Sequence, residues 1–313
     1  MVDIQNSIID AHIHIWAADQ EAYPLAPGFV DSDLWIPSYE PQDHLAIAGG
    51  LGVGRINFVQ MTWYGTDHSY ILDQIAAAPD RFVGTGIVPA VTDVDVGSPG
   101  NTMIALSKGG IYAFRMRGRS WHRRPISDGP QWMDHHGYAE MFETGAAQNL
   151  VLSFLAEPSD LPEIDRMCTL YPETPVIIDH LCRIGIDGRF PDEDIRALCD
   201  LSRHPNVYIK VGPFQHLGLK LRPYLDVLPL VERVIDAYGP DRCMWESDSP
   251  ALRPGNYDAD PVQDFAASLA LIRDHADFLG ASDKHQLLQG TAERLFFERQ
   301  SVIFQGIALP SWR

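Results

Sequence analysis

Apolar positions fall into short blocks along this chain, and stretches with apolar residues every three or four positions separate them. The blocks are Ile8–His14, Arg55–Gln60, Phe82–Val88, Ile111–Met116, Leu150–Leu155, Pro175–His180, Asn206–Val211 and Arg242–Ser247. Most show little alternation, as expected of parallel strands covered on both faces. Helical spacing follows from Asp67 and over Tyr138–Ala147, Asp160–Leu170, Glu193–Leu201 and Tyr224–Tyr238, and the chain closes with Val262–Gly280 and Ser282–Phe297. Strands alternating with helices predict an α/β fold. Eight of them fit a (β/α)8 TIM barrel forming a single domain over residues 1–313 better than an open sheet. No Gly-rich strand-to-helix turn points to a dinucleotide fold.

The first block departs from the pattern. In IIDAHIHIW, residues 8–16, Asp10, His12 and His14 share one strand face, while Ile9, Ala11, Ile13 and Ile15 share the other. Two adjacent imidazoles are costly to bury unless they have work to do. Other predicted strands also end in polar residues. Arg115 and Arg117 close the fourth, the fifth runs into Glu157, and Asp179 and His180 close the sixth. Lys210 lies in the seventh and Asp248 follows the eighth. A barrel gathers such ends at one mouth. Taken singly, each has a structural alternative: His180 as a rim residue, Asp248 as a cap on the turn before Pro250.

Two long connections, about 17–41 and 118–136, follow strand ends and are predicted to be active-site loops; a third spans Pro250–Pro261. The fourth strand runs into the second connection through RMRGRSWHRR (115–124), with Arg115, Arg117, Arg119, Arg123 and Arg124 within ten residues. These are either a solvated run paired with nearby acids or a clamp for a substrate carboxylate, which a guanidinium binds through two parallel hydrogen bonds. After the second strand, Gln60 and Tyr64 in QMTWYGTD suit a polar ligand, and Trp16, Trp63 and Trp121 are candidate pocket walls.

Composition narrows the partners. Lys and Arg number 24 against 42 Asp and Glu, a net charge of −18, which argues against nucleic acid or an anionic membrane as a partner. No run approaches the ~18 apolar residues of a membrane span. The N-terminus lacks the pattern of a secretory leader, and the four cysteines form no CxxC pair, so a cytoplasmic protein with reduced thiols is expected. The expected partner is a small anionic substrate; a homo-oligomer stays open.

The conjunction of IIDAHIHIW, IIDHL (177–181) and WESDSP (245–250) resembles the amidohydrolase superfamily, as does GTAERLFF (290–297) in the closing helix. QMTWYGTD (60–67), AEPSDLPEI (156–164) and VIIDHLCRIG (176–185) are closest to the lactonase branch that includes 2-pyrone-4,6-dicarboxylate lactonase and sugar-acid lactonases. The resemblance implies a hydrolase that opens a lactone ring by water attack. Asp248 acts as general base, and His12, His14 and His180, assisted by Lys210, meet the carbonyl oxygen. Arg115, Arg117, Arg123, Arg124 and Arg222 bind the substrate anion. The family's binuclear members carry a bridging Lys or carboxylate at strand four and a His at strand five. Here Arg115 and the region of Glu157 stand there, so a binuclear centre is not expected. The implied cofactor is none, or a single divalent metal, zinc foremost, on His12, His14 and Asp248, with Glu157 a further candidate. The alternatives are a metal-dependent nonoxidative decarboxylase of an aromatic or muconate-type acid and a barrel that binds a small acid without turning it over.

Overall fold

The computed structural model describes residues 7–89, 97–119, 131–250 and 260–298. Eight parallel strands, each bonded to the next in chain order, form one barrel wall. They are β1 (Ile8–Ile13), β2 (Val53–Val59), β3 (Phe82–Gly86), β4 (Ile111–Arg117), β5 (Val151–Leu155), β6 (Val176–Ile178), β7 (Val207–Val211) and β8 (Cys243–Trp245). The barrel closes where β1 meets the segment after β8. There the Asp248 amide donates to the His12 carbonyl at 3.0 Å, and the His14 amide donates to the Ser249 carbonyl at 2.7 Å. All eight predicted strands are present. Two end early: β6 stops at Ile178 because the backbone turns left-handed at His180, and β8 stops at Trp245, short of the predicted Ser247.

Helices α1 (Pro41–Ala48), α2 (Ser69–Ala77), α3 (Pro99–Ser107), α4 (His136–Gln148), α5 (Leu161–Leu170), α6 (Asp192–Asp200), α7 (Leu228–Tyr238) and α8 (Pro261–Ala270) cover the wall, and α9 (Ala281–His285) runs on as a widened helix to Phe297. Spacing predicted neither α1 nor α3. Helix α1 buries only Pro41, His44 and Ala48, and α3 opens with Pro-Gly-Asn, a turn signal in sequence. In α3 the Pro occupies the first helical position and the Ser98 side chain caps the Asn101 amide, so these residues start a helix. The helix predicted over Tyr224–Tyr238 begins only at Leu228, because Tyr224 has φ +64 and makes a corner. The helix predicted over Val262–Gly280 widens after Ala270 and breaks at Ala276.

All four cysteines are free, three of them buried. Among the described residues, no helix is long and apolar enough to cross a membrane.

Candidate active site

Barrel closure decides the geometry. The two bonds that zip β1 to the segment after β8 are made by the backbones of His12, His14 and Asp248 or its neighbour, so the three side chains are delivered side by side. His12 Nε2 lies 3.3 Å from His14 Nε2 and 3.6 Å from Asp248 Oδ1, and His14 Nε2 lies 3.3 Å from the same oxygen. All three residues are buried. Asp248 has φ +53, a left-handed backbone that aims its carboxylate at the histidines. Asp10, predicted to share their face, serves differently: its Oδ1 accepts from the backbone amides of His12 and Ser247, tying β1 to the chain after β8.

Protonation follows from the partners. His14 Nδ1 is 2.8 Å from the Val59 carbonyl, which only accepts, so Nδ1 carries the proton and Nε2 presents a lone pair. Burial lowers the His14 pKa, with Asp248 opposing, and burial together with Lys210 and Arg115 lowers that of His12 well below its ordinary value. Arg115 Nη2 is 3.1 Å from His12 Nε2 and Lys210 Nζ is 3.2 Å from His12 Nδ1, so a donor faces each nitrogen of this ring. The His14 Nε2 lone pair and the Asp248 carboxylate oxygen therefore converge on a single point beside His12 Nε2. Such a point demands protons, a cation or a water that donates.

These atoms fit one divalent ion. Tetrahedral zinc with bonds of ~2.0–2.1 Å separates its ligand atoms by about 3.3–3.4 Å, close to the spacings found. The Val59 carbonyl behind His14 is the kind of outer partner that orients a ligating imidazole. Arg115 Nη2 brings positive charge to the same His12 nitrogen. Among the described residues a second group of metal-ligand type, His12, Asp179 and His180, lies behind the first. The Lys210 ammonium stands within it, 3.0 Å from Asp179 Oδ1 and 3.2 Å from His12 Nδ1. A cation is thus already built into that position.

His180 arrives from a strained turn. His180, Leu181, Cys182 and Arg183 have φ of 60, 51, 54 and 59°, four consecutive left-handed residues without a glycine. Each costs roughly 1–2 kcal/mol. Glu246, fully buried, accepts from the His180 amide at 3.0 Å and from its Nδ1 at 2.6 Å through one oxygen. Burial works against a charged His180, but Glu246, Asp248 and Asp179 outweigh it and hold its pKa above the ordinary value. Burial likewise works against the Asp179 carboxylate, yet Lys210 and Arg115 hold its pKa below the usual range. Ser153 donates to Asp179 at 2.8 Å, and Arg115 reaches it at 3.4 Å. Burial raises the Glu246 pKa, with His180 and Lys210 opposing it.

The cluster forms the floor of a cavity of about 220 Å³. His14, His180, Arg115 and Asp248 line its depth, Arg117, Arg183, Gln60 and Thr62 its polar wall, and Trp35, Met61 and Leu155 its apolar wall. The loop predicted at 17–41 contributes Trp35, whose ring stands edge-on to His14 and to Trp16 and Trp63 behind it.

Several predicted site residues are placed elsewhere. Tyr64 does not line the cavity; its hydroxyl accepts from the Ala17 amide at 2.9 Å and pins the start of the long loop. Arg222 pairs with Asp264 at the N-terminal end of α8, at 3.4 Å, rather than entering the cavity. Glu157 joins neither metal-type group; it holds Arg183 Nε at 2.7 Å. Trp16 and Trp63 back the wall that Trp35 forms. Gln60 does line the cavity, its amide anchored on the Asp67 carbonyl. Arg123, Arg124 and Trp121 lie outside the described residues, as does most of the 118–136 loop. Sequence reasoning missed Glu246, Arg183 and Trp35. Glu246 stands two residues before Asp248 and Arg183 three after His180, so proximity to motif residues was the available signal.

The amidohydrolase family matches residues 9–297. The chain belongs to this family. Two curated relatives of this amidohydrolase are lactone hydrolases. The L-fucono-1,5-lactonase of Burkholderia ambifaria is 27% identical over 91% of this chain and 93% of the relative. The 4-sulfomuconolactone hydrolase of Rhizobium radiobacter is 24% identical over 92% of this chain and 89% of the relative. An amidohydrolase of Burkholderia multivorans, solved with bound zinc, shares the fold at a TM-score of 0.68 and 19% identity, covering 92% of this chain and 98% of its own.

Proposed function

We propose that this amidohydrolase hydrolyses the ring ester of a small lactone bearing a carboxylate or sulfonate. The observation that carries the reading is the convergence of Asp248 with three imidazoles beneath a cavity walled by Arg115, Arg117 and Arg183. The curated lactonases support the reaction class. A water donating to His14 Nε2 and Asp248 Oδ1 is held with its own lone pair toward the cavity. Asp248 takes its proton as the water attacks the carbonyl carbon; the ring C–O bond then breaks and Asp248 returns the proton to the leaving oxygen. The sequence suggested His12 and His14 as donors to the carbonyl oxygen; the Nε2 lone pair of His14 suits it instead to hold the water. His180 keeps Nδ1 on Glu246 and turns Nε2–H to the cavity, and with Arg115 it meets the charge growing on that oxygen. Donors placed this way typically supply ~3–4 kcal/mol each. One divalent ion on His12, His14 and Asp248 would supply Lewis-acid polarisation and a more acidic water.

The reading is tested with a pH-indicator assay over lactones with and without an acidic substituent, run before and after chelation. Hydrolysis confined to acidic lactones is expected. Carbon dioxide release from aromatic acids in place of ring opening would establish the decarboxylase, and binding of acids without turnover would establish a binding protein. Arg117→Met is expected to raise KM about 10–100-fold while kcat stays within about threefold, the mark of a group that binds ground state and transition state alike. An unchanged KM for an acidic lactone would remove Arg117 from the anion site.

Zinc titration of chelator-treated protein gives a second check. Because Lys210 fills the rear group, uptake is expected to stop at one equivalent per chain. Two tightly bound equivalents would contradict that assignment.

A further inference from the structure

Among the described residues, His180 is the one cavity imidazole that reaches the site from a left-handed turn rather than from the barrel seam. We propose that Glu246 is the positioning residue that aims it. One carboxylate oxygen accepts from both polar hydrogens that define the pose of His180, the backbone amide at 3.0 Å and ring Nδ1 at 2.6 Å. With Nδ1 bound, the ring can rotate only by breaking a short, charge-assisted bond, so Nε2 stays toward the cavity. The other oxygen lies 3.0 Å from His12 Nδ1, so the same side chain stands between two of the three site imidazoles. The barrel makes room for it. A Cβ on Gly212, just past β7, would stand 2.3 Å from the Glu246 carbonyl oxygen and 2.9 Å from its Cγ, so only a glycine lets the stem of Glu246 lie where it does. Four consecutive left-handed residues persist only where their surroundings over-determine them. The Glu246 bond to the His180 amide is a restraint at the first of the four.

The proposal rests on reading His180 as the group that meets the lactone carbonyl, so the test has one arm that needs no substrate. In the first arm, Glu246→Gln keeps the shape and removes the charge, and Glu246→Ala removes the acceptor. Glu246→Ala is expected to lower kcat about 10³-fold and Glu246→Gln about 10–100-fold, both with KM within about threefold. In the second arm, 15N spectra of histidine-labelled protein, assigned with His180→Asn, are expected to show the His180 proton on Nδ1 in a short hydrogen bond. That signal is expected to disappear in Glu246→Ala. Full kcat in both variants, or a loss expressed in KM alone, overturns the proposal. A wild-type His180 with a bare Nδ1 also overturns it, and this holds even if no lactone is turned over. If Glu246→Ala does not fold, the Gln variant and the wild-type spectrum decide.

Discussion

Replacing Asp248 by Asn is expected to lower kcat about 10³–10⁴-fold while the affinity for substrate changes less than about threefold. Asn keeps the volume and the left-handed corner, which Asn tolerates well. It loses the ability to take a proton at neutral pH, and general-base catalysis contributes about that much. It also places a donor or a neutral oxygen beside two imidazole nitrogens, 3.3 and 3.6 Å away, so the proposed water loses its strongest acceptor. Rate and calorimetric affinity measured on the same preparation separate loss of chemistry from loss of binding. Turnover within tenfold of the parent would remove Asp248 as the base. Metal content measured alongside shows whether the substitution also releases an ion.

Lys210→Met is expected to be the most destabilising single change in the site, by about 3–5 kcal/mol. Lys210 is fully buried, and its ammonium faces Asp179 at 3.0 Å. Methionine fills the stem's volume but leaves that carboxylate with Ser153, the longer Arg115 contact and His12 Nδ1 at 4.0 Å. Removing one partner of a buried pair costs far more than the pair itself contributes, because an uncompensated charge stays behind. For a chain of this size that corresponds to a fall in Tm of roughly 5–8 °C. The double variant Lys210→Met/Asp179→Asn is expected to recover part of the loss, since both charges then leave together. Urea unfolding of the four proteins in the cycle measures this. A single variant within about 1 kcal/mol of the parent would mean that Lys210 is not the counter-charge.

Both predictions depend on a feature of the fold that spacing alone did not reveal. The sequence placed His12, His14, His180, Lys210 and Asp248 at strand ends, and the barrel brings those ends to one mouth. What it could not rank was which nitrogen of each imidazole faces which partner. That depends on the Val59 carbonyl, the Arg115 guanidinium and the Glu246 carboxylate, which reach the site from three other strands or their ends. Glu246 illustrates the difficulty. In WESDSP it reads as one more acid beside a turn, and only the absence of a side chain on Gly212, across the sheet, shows where its stem lies.

By itself, the sequence determined the eight-strand count, the barrel and the polar strand ends, because apolar periodicity reports burial one element at a time. The tertiary structure decided that Tyr64 and Arg222 serve packing and ion pairing outside the cavity, that Trp35 forms its wall, and that Lys210 stands in the rear group of metal-ligand type. The physical reason is closure. His12 and Asp248 are 236 positions apart, and one pair of backbone hydrogen bonds across the β1–β8 seam sets the few ångströms between their side chains.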